Sequence, residues 1–317
     1  IMGRKITVIG AGSVGASIVY TLAVEGIASD ILMIDINKEK ALGEAMDISQ
    51  GASFFGNVNI HAGEYEEAVD SDIVIITSGL PRKPGQTRLD LAQANVDILK
   101  QIAPEITKYA PNAIYMIVSN PVDVLTYVFH KITNIPESRI LGSGTLLDTS
   151  RLRSTLANHF NISQKNIHAS VLGEHGDSSF VPWSLATVAG VPIKEFAASL
   201  EGTALEGVGE PNYDDVLDFT KKSGGVIIKR KGATYYAIAL SVCHICKYLL
   251  NNVNSVATVS TMLHGEYGQE DICLSIQTVL NSKGIVGKIA PKMTPEEDEL
   301  FAKSAASLRE VIDHIKI

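Results

Sequence analysis

The stretch Lys5-Ile6-Thr7-Val8-Ile9-Gly10-Ala11-Gly12-Ser13-Val14-Gly15 decides the reading of the fold. A short β-rich run enters a G-x-G-x-x-G turn, and the turn opens a helical pattern over 13–25. Each glycine answers a separate steric demand. Gly10 permits the tight turn, Gly12 lets backbone approach a pyrophosphate, and Gly15 lets helix and strand pack closely. The start of the helix offers unpaired N–H groups and partial positive charge to phosphate oxygens. Asp35 ends the next β-rich run, twenty residues after Gly15. A carboxylate there accepts hydrogen bonds from ribose hydroxyls and repels a 2′-phosphate, and Ile36 rather than an arginine follows it. The expectation is a dinucleotide site that prefers NAD to NADP.

The pattern around this stretch extends the reading. β-rich runs at 5–9, 30–34, 72–77 and 113–118 alternate with helical patterns at 13–25, 38–50, 89–109 and 122–131. That alternation predicts an α/β fold, a Rossmann-type doubly wound parallel sheet whose strands are buried on both faces. After about residue 143 the regularity fades. A helix over 147–159, a strand near 167–172, glycine-rich turns over 202–209 and further helices predict a mixed α+β substrate domain. The expected division is therefore a Rossmann NAD-binding domain over 1–143 and a catalytic α+β domain over 144–317. Near the end, Thr294-Pro295-Glu296-Glu297 supplies an N-cap, a proline at the first helical position and a capping-box glutamate. Phe301, Ala305, Leu308, Ile312 and Ile315 then recur at helical spacing as one inward stripe.

Composition narrows the function classes. The 317 residues are 45% hydrophobic and 20% charged, a balance that excludes disorder, collagen and coiled coil. The net charge of −8 argues against a basic surface for nucleic acid or anionic lipid, so an anionic ligand has to be met by a local device. Cys243, Cys246 and Cys273 are too few for a disulfide framework and fit a reducing compartment. No stretch is apolar for long enough to span a bilayer or to serve as a signal peptide, and a cytoplasmic location is expected.

Four segments place polar side chains beside glycine or proline. They are Leu80-Pro81-Arg82-Lys83-Pro84-Gly85-Gln86-Thr87-Arg88, Ser119-Asn120-Pro121-Val122-Asp123, Leu147-Asp148-Thr149-Ser150-Arg151 and Gly173-Glu174-His175-Gly176-Asp177. The first two follow β-rich runs and read as loops at the carboxyl edge of the sheet, where such folds bind ligands. Hydride exchange with a 2-hydroxy acid needs a base near neutral pH, and His175 is the candidate. Asp148 can hold its tautomer and stabilise its charged form. Arg151, one helical turn on, suits bidentate contact with a substrate carboxylate. Arg88 can polarise the reacting carbonyl once water is excluded, and Asn120 can position its oxygen. Taken singly, each has a plainer reading: a turn histidine, an exposed ion pair, a solvated arginine. Their joint occurrence after the glycine turn favours catalysis.

Over essentially its whole length the chain resembles the lactate/malate dehydrogenase family, through VIGAGSVGAS (8–17), VSNPVD (118–123), GSGTLLDTSRLR (142–153), GEHGDSS (173–179) and KGATYYAIA (231–239). The resemblance implies two-domain subunits in a dimer or tetramer, here a homotetramer, with NAD(H) binding first. It implies His175 as proton donor and acceptor, Asp148 as its partner, Arg151 as carboxylate clamp, Arg88 as loop arginine and Asn120 as orienting amide. It also sets Val14, Asp35, Lys40, Tyr65, Gly79, Leu80, Val118 and Ser143 along the NAD.

Substrate choice within the family divides the sequence. Arg82, six positions before Arg88, stands where lactate enzymes usually carry glutamine and malate enzymes arginine, so it favours oxaloacetate/malate. Against it, the chain reads Gly173-Glu174-His175 where related malate enzymes tend to read GGH. The loop continues Thr87-Arg88-Leu89-Asp90-Leu91 in a lactate-like way, and Thr234 crowds the space that a second carboxylate would need. The balance favours pyruvate/L-lactate over malate dehydrogenase, with a non-catalytic NAD-sensing module as the rival from another class. Arg153 and His168 match the two basic positions that bind fructose 1,6-bisphosphate in allosteric bacterial relatives, which implies activation by that sugar phosphate. Cys243-His244-Ile245-Cys246 lies in a helical run over 236–250 without a second ligand pair, and no metal is expected.

Overall fold

A computed structural model of the chain describes residues 4–81 and 87–317, with the side chain of Arg88 outside the description. In chain order the first elements are β1 (Lys5–Ile9), α1 (Ser13–Val24), β2 (Asp30–Ile34), α2 (Lys38–Gln50), the single turn α3 (Ala52–Phe55), β3 (Asn59–Ala62) and β4 (Ile73–Ile76). Next come α4 (Arg88–Tyr109), β5 (Ile114–Ile117), α5 (Val122–Ile132), β6 (Ile140–Gly142), α6 (Leu146–Phe160) and β7 (Ile167–His168). β8 (Thr187–Val188), β9 (Val191–Pro192), α7 (Ile193–Phe196), α8 (Tyr213–Lys231) and α9 (Tyr236–Leu249) follow. The chain ends with β10 (Ser255–His264), β11 (Glu270–Asn281), β12 (Gly284–Ile289) and α10 (Pro295–His314).

The sheet order β12-β11-β10-β6-β5-β4-β1-β2-β3 contains the doubly wound sequence, with β1 to β6 all parallel. Nearly every residue of β1, β2, β4 and β5 is buried, which is why these strands read as unbroken apolar runs. Helices cover both faces. Val96, Ile106 and Phe129 of α4 and α5 pack on one side, and Ile18, Leu22 and Val242 of α1 and α9 on the other. A third cluster around Leu156, Phe160, Val171 and Val188 sits beneath the small β7-β8-β9 sheet.

Two expectations need correction. The strand foreseen near 167–172 is a strand over Ile167–His168 alone; Leu172 instead makes an isolated bridge to Phe180. The second half also holds more strands than the one expected, because β10 and β11 run for 10 and 12 residues and extend the same sheet, β10 antiparallel to β6 through Ser260↔Gly142 and β11 antiparallel to β10. Buried hydroxyls at Thr258, Ser260, Thr261, Ser275 and Thr278 break the apolar run, and burial on both faces removes the alternation that would have announced these strands. The closing helix follows expectation, with both bonds of the capping box formed and Phe301, Ala305, Leu308 and Ile312 buried; Ile315 falls just past its end.

Because the strands run parallel, the segments after β1, β2, β4, β5 and β6 emerge at one edge of the sheet. Gly10, Asp35, Gly79, Asn120 and Ser143 are all gathered there.

Candidate active site

The glycine turn has the geometry that its sequence demands. Gly10 adopts φ +114°, and a Cβ on Gly15 would stand 1.8 Å from the Gly10 carbonyl oxygen. A Cβ on Gly12 would meet nothing within 4 Å, so that face of the turn is open. No side chain caps the first turn of α1, and no acidic residue occupies it. The turn therefore leaves amide donors and room for a pyrophosphate, and these residues fit NAD. Asp35 does more than face the cradle. Its Oδ2 accepts the Ala11 N–H at 2.6 Å and its Oδ1 accepts the Asn37 N–H at 2.8 Å, so the carboxylate also holds the turn together.

Around this cradle, Val14 and Tyr65 are half-buried and Lys40 is exposed in the first turn of α2, with its N–H capped by Asn37. Burial first, then the charges of Glu105 and Asp35, push the Tyr65 phenol up, which places Tyr65 and Asp35 within electrostatic reach of one another. Val118 and Ser143 are buried beneath the strand ends, while Gly79, Leu80 and Asn120 lie exposed above them.

A cluster of ionisable side chains follows β6 at the same edge. Asp148, in the first turn of α6, accepts from the His175 ring at 2.5 Å (Nδ1 to Oδ2) and from Arg151 Nη1 at 3.0 Å through Oδ1. One carboxylate thus organises an imidazole and a guanidinium. The Asp148 charge pushes His175 up to about 9, helped by their hydrogen bond and by Asp123 and opposed by burial and Arg151. Burial would raise Asp148 itself, but the His175 charge and bond, together with Arg151, hold it below the ordinary carboxylate value. With Nδ1 bonded to Asp148, Nε2 is the ring nitrogen left on the opposite side from that carboxylate. The segment carrying His175 is fixed by the ladder pair Gly173↔Ser275 at 3.0 Å, by a 2.8 Å bond from the Glu174 N–H to Ser304 of α10, and by Lys221 Nζ on the Asp177 carbonyl.

Of the remaining predicted positions, Arg82 and the side chain of Arg88 lie outside the described residues. Thr234 is half-buried in the connection between α8 and α9. Arg153 is half-buried on α6 with its Nε on the Ala169 carbonyl at 3.0 Å, next to exposed His168, and burial lowers its guanidinium from the ordinary value. Cys243 and Cys246 are interior residues of α9 whose thiols burial pushes up, Cys246 to about 12.

Three residues in the site were given no role in the sequence reading. Asn95 of α4 joins the two loops, accepting the Leu80 N–H at 2.7 Å and donating to the Asn120 carbonyl at 2.7 Å. Gly224 of α8 lies against the Arg151 guanidinium, since a Cβ there would stand 3.4 Å from Nη2. Asp123 of α5, 2% exposed, accepts the His175 N–H at 2.7 Å. A carboxylate at the head of an otherwise apolar helix was the available signal for Asp123; the other two gave none.

Sequence comparison agrees with this geometry. The pattern for the lactate/malate dehydrogenase NAD binding domain matches residues 4–142, and that for the lactate/malate dehydrogenase alpha/beta C-terminal domain matches 145–316. The chain belongs to the lactate/malate dehydrogenase family. It is 45% identical over 311 residues to L-lactate dehydrogenase 1 of Clostridium acetobutylicum, covering 98% of each chain. It is 44% identical over 314 residues to the L-lactate dehydrogenase of Thermoanaerobacter pseudethanolicus, covering 99% of this chain and 100% of that one. Among solved members of the family, the minor L-lactate dehydrogenase of Enterococcus mundtii in its ligand-bound form superimposes with a TM-score of 0.93 at 40% identity, covering 99% of both. The L-lactate dehydrogenase of Clostridium thermocellum gives 0.87 at 37% identity, covering 99% of this chain and 100% of that one. The N-terminal half is thus an NAD-binding domain of this family.

Proposed function

We propose that the protein is an NAD-dependent L-lactate dehydrogenase that interconverts pyruvate and L-lactate. The observation that carries the reading is the single carboxylate of Asp148 bonded to both His175 and Arg151 at the carboxyl edge of a dinucleotide-binding sheet. The turn at Gly10, Gly12, Val14 and Gly15 together with Asp35 would hold NADH, which would supply the hydride. Lys40, Tyr65, Gly79, Leu80, Val118, Asn120 and Ser143 complete that side of the site. Arg151 clamps the substrate carboxylate, Asn120 orients the C2 oxygen, and Arg88 polarises it. His175 gives its Nε2 proton to that oxygen as the hydride arrives at C2, and Asp148 keeps the opposite nitrogen protonated through the cycle. Reversal returns the proton to the ring. The proposed division of labour places the nucleotide on 1–143 and the substrate mainly on 144–317, with Arg88 and Asn120 reaching the substrate from the first half.

Arg82 supports a second substrate, oxaloacetate, whose extra carboxylate pairs with a guanidinium as the pyruvate methyl cannot; Thr234 opposes it by occupying space. A side-by-side measurement of kcat/KM for pyruvate and oxaloacetate with NADH tests the choice. Pyruvate ahead supports the lactate reading, oxaloacetate ahead replaces it with malate dehydrogenase, and turnover of neither leaves an NAD-sensing module.

Arg153 and His168 are proposed to bind fructose 1,6-bisphosphate, supported by a desolvated guanidinium next to an exposed imidazole; an unchanged pyruvate saturation curve in millimolar effector at pH 6 and 7 removes this idea. A homotetramer is supported by large exposed apolar side chains on α1, α2 and α9, Tyr20, Met46 and Leu240, and sedimentation checks it. Among the described residues no helix is long and apolar enough to cross a membrane, and a cytoplasmic site of action is proposed.

A further inference from the structure

We propose that Asp123 is a positioning residue for proton transfer: its Oδ2 fixes the main chain of His175, and its charge lies behind the imidazole as a second anionic neighbour after Asp148. This rests on the reading of His175 as the proton carrier.

Asp123 opens a run of α5 in which every residue from Val122 to Phe129 is buried. Burying a carboxylate is costly unless its charge is matched. The compensation here is incomplete as hydrogen bonding. Oδ2 accepts the His175 N–H, whereas Oδ1 has no hydrogen-bond partner of regular geometry among the described residues. Burial accordingly pushes Asp123 up to about 6, against the Ser260 hydroxyl beside it, the His175 N–H and the His175 ring. A neutral asparagine would hold the His175 main chain equally well without the cost of a buried charge. The charge therefore has an electrostatic partner, and that partner is the imidazolium.

The groups facing this pair are few. Asp148 and Arg151 approach His175 from α6, Glu174 adjoins it in sequence, and Ser260 of β10 and Cys273 of β11 face Asp123 from the sheet. Arg151 acts against the imidazolium, and Asp123 acts for it. Coupling is reciprocal: the positive ring favours the Asp123 anion, so the anion favours the positive ring. The two carboxylates divide the work, Asp148 setting the ring's tautomer and Asp123 setting where the ring sits and how firmly it keeps its second proton.

The test compares the wild-type enzyme with Asp123→Asn and Asp123→Ala in pyruvate reduction at saturating NADH between pH 5.5 and 10. For Asp123→Asn the alkaline limb of kcat/KM moves to lower pH, so that activity at pH 8.5 relative to pH 6 falls by up to about threefold, the size of a displacement of up to one pH unit. Superimposable limbs would overturn the electrostatic role. Asp123→Ala loses the acceptor as well, and its kcat falls below that of Asp123→Asn at every pH; equal values would overturn the anchoring role. If the alanine variant does not fold, the limb of the asparagine variant still decides. A wild-type protein that reduces neither pyruvate nor oxaloacetate would instead overturn the reading of His175.

Discussion

Asp148 serves two cations at once, and that arrangement sets the pH response of the site. In the proposed mechanism pyruvate reduction uses the imidazolium, which Asp148 keeps protonated up to about 9. Its kcat/KM is therefore expected to hold through neutrality and to fall as pH rises through about 9, while lactate oxidation, which uses the neutral ring, gains over the same interval; a pH profile in both directions checks this. His175→Gln should lower turnover by about a thousandfold. NADH affinity, read by fluorescence titration, should change little, and a parallel loss of both would mean that His175 is structural. Asp35→Ala removes the acceptor of two main-chain amides, Ala11 and Asn37, and should cost about 2 kcal/mol of stability in urea unfolding, whatever it does to nucleotide choice. The placement of Asp148, Arg151 and His175 was legible in the sequence because each sits beside a glycine turn or one helical turn from its partner, and that of Asp35 because it ends a β-rich run twenty residues after Gly15. Asp123 and Asn95 were not, since their partners are main-chain groups 52, 15 and 25 residues away, and a main-chain group leaves no mark in the residue type.

At the scale of elements, helix ends are written in local chemistry and strands of a covered sheet are not. Thr294 accepts the Glu297 N–H while Glu297 reaches back to the Thr294 N–H and also to Ser184. Thr294→Ala should cost about 1 kcal/mol, and Glu297→Ala more, by the same denaturation measurement. This box was readable from four consecutive letters. The paired β10 and β11 were not, because their buried hydroxyls are satisfied or tolerated only through the sheet as a whole. α5 carries a different sensitivity. Burial lowers His130 to about 4, so the folded state holds it neutral while the unfolded chain begins to protonate near 6.5. Its stability contribution is complete above 6.5 and is lost as pH falls from there towards 4; the loss between pH 7 and pH 5 is about 2 kcal/mol, and His130→Phe should abolish it in a comparison of melting at those two pH values.

The whole molecule turns on the joint between the parallel and antiparallel strands. There Gly144 adopts φ +55°, and a Cβ on it would stand 2.5 Å from both the Ser260 nitrogen and Ser275 Oγ. Strands from both halves of the chain cross at this point, and local pattern reading, which sees one element at a time, had no means of finding the junction. Gly144→Val should destabilise by at least about 3 kcal/mol. The nucleotide turn hangs from β1 and the His175 segment is laddered onto β11, so both working parts belong to one nine-stranded sheet. Neither can come apart while the other stays native. Warming should consequently abolish turnover and melt the chain at a single temperature, and the activity left in a heated sample becomes a direct gauge of how many molecules in it are still folded.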